Sequence, residues 1–162
     1  MDINDFIAKF TNHPILFVGS GFSRRYLRNS YTWDGLLKKI TFDIARDSEY
    51  YIDLKNQVYD KDSKNYNMPK LASLIEDELN IVAQRDKDGF FKEVNKIFYS
   101  TMKSGIHTSR LKIYISKLLE ELDYIDEKNN EISALKKARK NIGSVITTNY
   151  DKLIEDIFKF TP

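Results

Sequence analysis

The order of apolar and polar positions divides the chain into two short β-type runs separated by a long helical stretch. Ile3, Phe6, Ile7 and Phe10 recur at helical spacing behind Asp2, which predicts a short amphipathic helix with an acidic N-cap. Asn12-His13-Pro14 ends it, because the residue before a proline is pushed out of the helical region. Ile15-Leu16-Phe17-Val18 follows without alternation between Pro14 and Gly19, the pattern of a strand covered on both faces in a parallel sheet.

From Tyr31 to Leu122 the spacing is helical. Trp33, Leu36, Leu37, Ile40 and Ile44 form one stripe, capped by Thr32 with Asp34 in the first turn; Trp33 heads it and is expected in the core. Leu71, Leu74, Ile75, Leu79 and Val82 form a second stripe, with Pro69 where a first turn tolerates it. Phe90, Phe91, Val94, Ile97, Phe98 and Met102 give a third. Leu111, Tyr114, Ile115, Leu118, Leu119 and Leu122 give a fourth behind Thr108 or Ser109 as cap. The polar stretches Tyr59 to Asn67 and Asp126 to Glu131 are expected to be solvated loops. Ser144-Val145-Ile146-Thr147-Thr148 is a second strand signal, followed by Tyr150, Leu153, Ile154, Ile157 and Phe158 at helical spacing.

Two strands make a poor stand-alone parallel core. The expectation is therefore a single α/β domain over 1–162, a Rossmann-like parallel sheet with a large helical insertion at about 31–125, its C-terminal side supplied by residues beyond 162. The competing expectation is a complete, mostly helical domain with a small sheet.

Composition narrows the function. Charged residues make up 31% of the chain, yet the formal charge is only +2, unlike the basic surplus of a dedicated nucleic-acid binder. No apolar run approaches the ~18–20 residues that span a bilayer, and the acidic start Met1-Asp2-Ile3-Asn4-Asp5 is unlike a secretory signal, so a cytoplasmic protein without nucleic acid or membrane partners is expected. Cysteine is absent and only His13 and His107 offer imidazole, so no metal site is expected.

Gly19-Ser20-Gly21-Phe22-Ser23 directly follows the first strand, where a phosphate needs backbone N–H groups and no obstructing side chains. Gly19 permits a tight turn, Gly21 a close approach of pyrophosphate, and Ser23 a hydroxyl hydrogen bond or a helix cap. Arg24 occupies the third-glycine position of the dinucleotide fingerprint, so this is not the dehydrogenase loop; Arg24 could instead neutralise phosphate charge, or belong to a solvated basic helix face with Arg25 and Arg28. Thr147-Thr148-Asn149-Tyr150-Asp151 takes the matching place on the second strand, and ligands of open α/β sheets bind outside the carboxyl ends of strands. Asn149 offers an amide donor and a carbonyl acceptor, suited to a ribose hydroxyl and a water, or to an N-cap. Asp151 is equally an ordinary acid of the first turn of the last helix.

Taken together, Gly-Ser-Gly-Phe-Ser, Trp33 and Val-Ile-Thr-Thr-Asn-Tyr-Asp-Lys-Leu-Ile-Glu resemble the sirtuin-like family. They look closest to its bacterial anti-phage branch, in which Thr-Thr-Asn-Tyr-Asp replaces the Thr-Gln-Asn-Ile-Asp of deacylating members. The resemblance spans about Phe6 to Phe158, and its identity rests on the residues at the two ends. It implies cleavage of the nicotinamide–ribose bond of NAD, as substrate, in defence by NAD depletion. Gly19, Gly21 and Ser23 would hold the diphosphate, and Ser20, Phe22, Arg24 and Thr148 would also contact the cofactor. Asn149 would act on the ribose and its water, and Asp151 would orient the carboxamide. A homo-oligomer and an appended C-terminal sensor region are also implied. Arg24-Arg25-Tyr26-Leu27 stands where deacylases carry Gly-Ile-Pro-Asp-Phe-Arg, and the four-Cys zinc module is lacking, which points away from deacylation. The family's catalytic His follows the second motif, and none follows Asp151 here; 162 residues alone are therefore expected to be inactive, and His107 and His13 to be structural. The alternatives are a non-catalytic NAD or ADP-ribose binding module and a helical interaction domain without nucleotide.

Overall fold

The computed structural model describes residues 14–161; the helix expected from Ile3, Phe6, Ile7 and Phe10, and His13, lie outside the described residues. The described residues are mixed α/β and about 60% helical. It begins with β1 (Ile15–Val18) and α1 (Ser20–Tyr26). There follow α2 (Trp33–Ala45), α3 (Tyr50–Gln57), β2 (Tyr59–Asp60), β3 (Asn65–Tyr66), α4 (Met68–Arg85), α5 (Lys92–Lys103) and α6 (Arg110–Leu118). The last part holds α7 (Asn129–Ala138), β4 (Ser144–Thr147) and α8 (Leu153–Phe158), with 3-10 turns at Asp126–Lys128 and Arg139–Asn141. Two compact units result: a mixed unit of Met1–Ser30 with Leu119–Pro162, and a helical unit of Tyr31–Leu118.

In the mixed unit β1 and β4 pair in parallel, with Ile15, Leu16, Phe17 and Val18 opposite Ser144, Val145, Ile146 and Thr147. Val18 packs with Tyr26, Leu27, Ile132, Leu153, Ile157 and Phe158, and Leu16 and Val145 border that cluster. Side chains alternate along a strand, so the other face carries Ile15, Phe17 and Ile146, which are 64%, 70% and 52% exposed. Among the described residues, the expected strand covered on both faces is thus covered on one. A four-residue apolar run is the same in both situations, and α7, missed in sequence because Asp126–Glu131 has the composition of a loop, contributes Ile132 to the covered side. Tyr124 donates to Asp156 Oδ2 at 2.6 Å, and Ile125 N donates to Tyr26 O at 2.8 Å, which fastens the segment before α7 to α8 and α1.

The helical unit builds its core from fully buried Leu37, Ile40, Leu71, Ile75 and Leu79 on the predicted stripes of α2 and α4. Thr32 Oγ1 accepts from Gly35 N at 3.0 Å, as its sequence position predicts, and Ser109 rather than Thr108 caps α6 by accepting from Lys112 N at 3.2 Å. Asn67 caps α4, accepting from Lys70 N at 3.0 Å with Pro69 in the first turn. Four expectations are corrected. Trp33 is exposed rather than core, because it sits at the first position of α2 outside the packed turn. The α5 stripe buries Phe91 and Val94 while Phe90, Ile97 and Met102 stay exposed, one side of the helix being wider in apolar residues than the surface it packs on. Tyr59 to Asn67 is a short antiparallel hairpin, Tyr59 opposite Tyr66, with rings 5.1 Å apart. Leu119 and Leu122, assigned by spacing to the fourth stripe, lie beyond α6 in the mixed unit.

Candidate functional site

Both sequence motifs sit at the carboxyl ends of the paired strands. Gly19 is the N-cap of α1, and Ser20 to Ser23 form its first turn, so the segment is a cap and helix start rather than an open loop. This corrects the expectation that Ser23 caps the helix: it lies inside it, 2% exposed. Gly19 has φ −115°, a conformation open to any residue, so the turn itself does not require glycine. A Cβ there would sit 3.9 Å from Thr148 Oγ1, ordinary contact distance. A Cβ at Gly21 would meet no protein atom within 4 Å. Neither glycine is therefore explained by the protein's own packing.

Asn149 joins the two strand ends. Its Nδ2 donates to Gly19 O at 3.1 Å and to Ser23 Oγ at 2.8 Å. Gly19 O can only accept, which fixes the amide with its nitrogen toward α1. Ser23 Oγ, as acceptor from Asn149, keeps its own proton for another partner. The Asn149 backbone N–H is taken by Thr147 Oγ1 at 3.0 Å, and Thr148 N donates to Val18 O at 3.2 Å, continuing the strand ladder by one residue. Asn149 Oδ1 is buried and has no partner among the described residues. An unpaired buried acceptor costs about 1–3 kcal/mol, which a ligand hydroxyl or a water would relieve.

The remaining sequence candidates separate. Asp151 Oδ1 accepts from Leu153 N at 3.1 Å, a local turn one residue ahead of the N-cap Lys152, so Asp151 precedes α8 and is not the first-turn acid expected from the sequence. Ser20, Gly21 and Thr148 are exposed and Phe22 is half-buried, its ring 5.0 Å from that of Tyr26. Arg25 bonds Glu131 at 2.7 Å, and Arg28 bonds Asp123 at 3.1 Å and Asp126 at 2.8 Å, whereas no ion pair among the described residues includes exposed Arg24. Hydrogen bonds from Arg25 and then Lys128 hold Glu131 down at about 2. His107 is exposed and belongs to the helical unit, whereas the residues that meet at Asn149 belong to the mixed one.

Sequence reasoning missed two features of this unit. Glu155, in the first turn of α8, has a buried Oε2 without a partner among the described residues. Burial and the Tyr124 hydrogen bond raise the tyrosine's pKa, and the same bond lowers that of Asp156. Glu155 closes the second motif and Asp156 follows directly after it, which was the only signal available for them.

Among the described residues no helix is long and apolar enough to cross a membrane. Comparison with protein-family models, curated proteins and solved structures gave no match.

Proposed function

We propose that the mixed unit is the NAD-binding portion of a sirtuin-like NAD glycohydrolase, its strands belonging to a Rossmann-like sheet, acting in bacterial anti-phage defence by NAD depletion. The observation that carries this reading is the Asn149 amide, which ties Gly19 O and Ser23 Oγ together at the carboxyl ends of a parallel pair. Parallel sheets bind nucleotides at that edge. Glycine at 21 without any packing reason supports close approach of a diphosphate to the main chain, and Ser23's spare proton and exposed Arg24 suit its oxygens. In the reaction, water oxygen bonds to the ribose C1′ as the C1′–N bond breaks; nicotinamide leaves with the bonding pair and water loses a proton. Asn149 would orient the ribose through Oδ1. Asp151 keeps a second carboxylate oxygen beyond its bond to Leu153 N and would address the carboxamide. The described residues of this unit include no histidine, which favours, as second reading, a module that binds NAD or ADP-ribose without turning it over.

The test is calorimetric titration of the chain with NAD and ADP-ribose, alongside Gly21→Val. The substitution meets empty space, so the fold is expected to survive, while nucleotide affinity drops by an order of magnitude or more, roughly the loss of one well-placed contact. Unchanged affinity in a folded Gly21→Val, or no binding by the parent chain, refutes the reading. Nicotinamide release from NAD separates the enzyme from the binding module.

A further inference from the structure

The helical unit buries two charged side chains and treats them in opposite ways. Asp43 is met by Lys39, by Arg46 at 3.5 Å and by the Tyr114 hydroxyl at 2.6 Å, so its charge is matched. Arg110, 3% exposed, is held by neutral groups alone. Its Nε donates to Asn95 Oδ1 at 2.9 Å, Nη1 to Asn80 Oδ1 at 3.2 Å and Nη2 to Tyr99 OH at 3.2 Å. The guanidinium lies 3.8 Å from the centre of the Phe98 ring. Asn95 is buried too, and its Nδ2 donates to Ala83 O at 2.6 Å, which turns its oxygen toward the arginine. No ion pair among the described residues includes Arg110.

A buried cation with aligned neutral partners is held in place but not neutralised. Three of its five N–H donors are engaged, and each terminal nitrogen retains one. Arg110 borders an open pocket of about 530 Å³ whose lining also includes His107, Ser109, Lys112 and Met102. No Asp or Glu lines it, although the chain has 24 of them. The held Arg110 cation, the exposed Lys112 cation, a hydroxyl and an imidazole around a space without any carboxylate match a dianion better than a monoanion.

We propose that this pocket binds an organic phosphate, its phosphoryl oxygens on Arg110 and Lys112 and its organic body along Met102. The site is independent of the nucleotide reading above, since every residue belongs to the helical unit.

The experiment is a titration of the full, isotope-labelled chain with phenyl phosphate, followed by amide resonances of residues 107–112 and the Arg110 Nε–H signal. Benzoate and phenol serve as monoanionic and neutral controls. Saturable shifts concentrated at 107–112 are expected with phenyl phosphate, weaker by roughly fivefold or more with benzoate, and none with phenol. Replacing buried Arg110 endangers folding, so the variant is Lys112→Gln on the exposed rim, expected to weaken phenyl phosphate roughly fivefold or more. Absence of saturation by about 10 mM, or equal affinity in Lys112→Gln, overturns the proposal and leaves Arg110 as an internal brace for Asn80, Asn95 and Tyr99.

Discussion

The helical unit and the mixed unit use their apolar residues differently. In the helical unit the stripes of α2 and α4 close on each other, and Leu37, Ile40, Leu71, Ile75 and Leu79 lose all contact with solvent. In the mixed unit one face of the β1–β4 pair is packed and the other shows Ile15, Phe17 and Ile146 to solvent. Polar groups follow the same division. Asp43 and Arg110 are embedded among helices with most of their hydrogen bonds made, whereas Asn149 stands at a strand end with one buried oxygen that has no partner among the described residues. A closed core supplies stability and a half-closed sheet end supplies unsatisfied groups, so perturbations of the two units are expected to differ in kind.

The largest effect is expected at Ile75. Its removal to Ala leaves a cavity among side chains that are themselves fully buried, at a cost of about 2–5 kcal/mol. Urea unfolding measures it, and a loss below about 1 kcal/mol would mean the helical core is loosely packed. Asn149→Ala comes next. It leaves Ser23 Oγ buried without its partner and unties Gly19 from β4, an expected loss of about 1–3 kcal/mol. The loss should shrink in a Ser23→Ala background, since the orphaned hydroxyl is then absent. Equal losses in both backgrounds would deny the coupling between the motifs.

The same contrast decides what the sequence made legible. Leu36 to Ile44 and Leu71 to Val82 each carry enough periodic positions, with Thr32 and Pro69 near their starts, to specify helix and buried side together, Trp33 excepted. Four residues of β1 cannot do that: Ile15-Leu16-Phe17-Val18 specifies a strand and its parallel pairing is consistent with the intervening helices, but which face is covered depends on α7 and α8. At the site, the convergence of Gly19, Ser23 and Asn149 followed from placing both motifs at strand ends; the hydrogen bonds between them were not foreseen. The direction of the amide did not, because it is set by Gly19 O, a backbone atom carrying no side-chain signal. Arg110 was invisible for a similar reason, its setting being made by Asn80, Asn95 and Tyr99 from two other helices.

A smaller effect is expected from alkali. Burial first, and then bonds to Asp34, Asp43 and Asp156, raise the pKa values of Tyr51, Tyr114 and Tyr124 above the ordinary tyrosine value. The folded chain therefore keeps these phenols neutral while the unfolded chain begins to ionise them near pH ~10. Their contribution is complete below that pH and is lost as pH rises toward the folded values, at up to ~1.4 kcal/mol per pH unit for each tyrosine. Tyr114→Phe removes one share, so its stability should fall less steeply than that of the parent between pH ~10 and ~11. Parallel curves would place Tyr114 in solvent-like surroundings and weaken the contrast between the two units.

The smallest effect is expected on the open face of the sheet, and it tests the comparison most directly. Phe17 is 70% exposed and Ile15 64%, so replacing both by Thr removes little buried area and keeps residues that favour strands. Stability should change by no more than about 0.5 kcal/mol per site in dilute solution. A contiguous apolar face is nevertheless a surface on which proteins associate. If copies of the chain meet there, sedimentation of the parent will depend on concentration and that of Ile15→Thr/Phe17→Thr will not. A loss of more than about 2 kcal/mol in a dilute monomer has another meaning: these side chains are covered within the chain, and the sheet of the mixed unit is as closed as the core of the helical one.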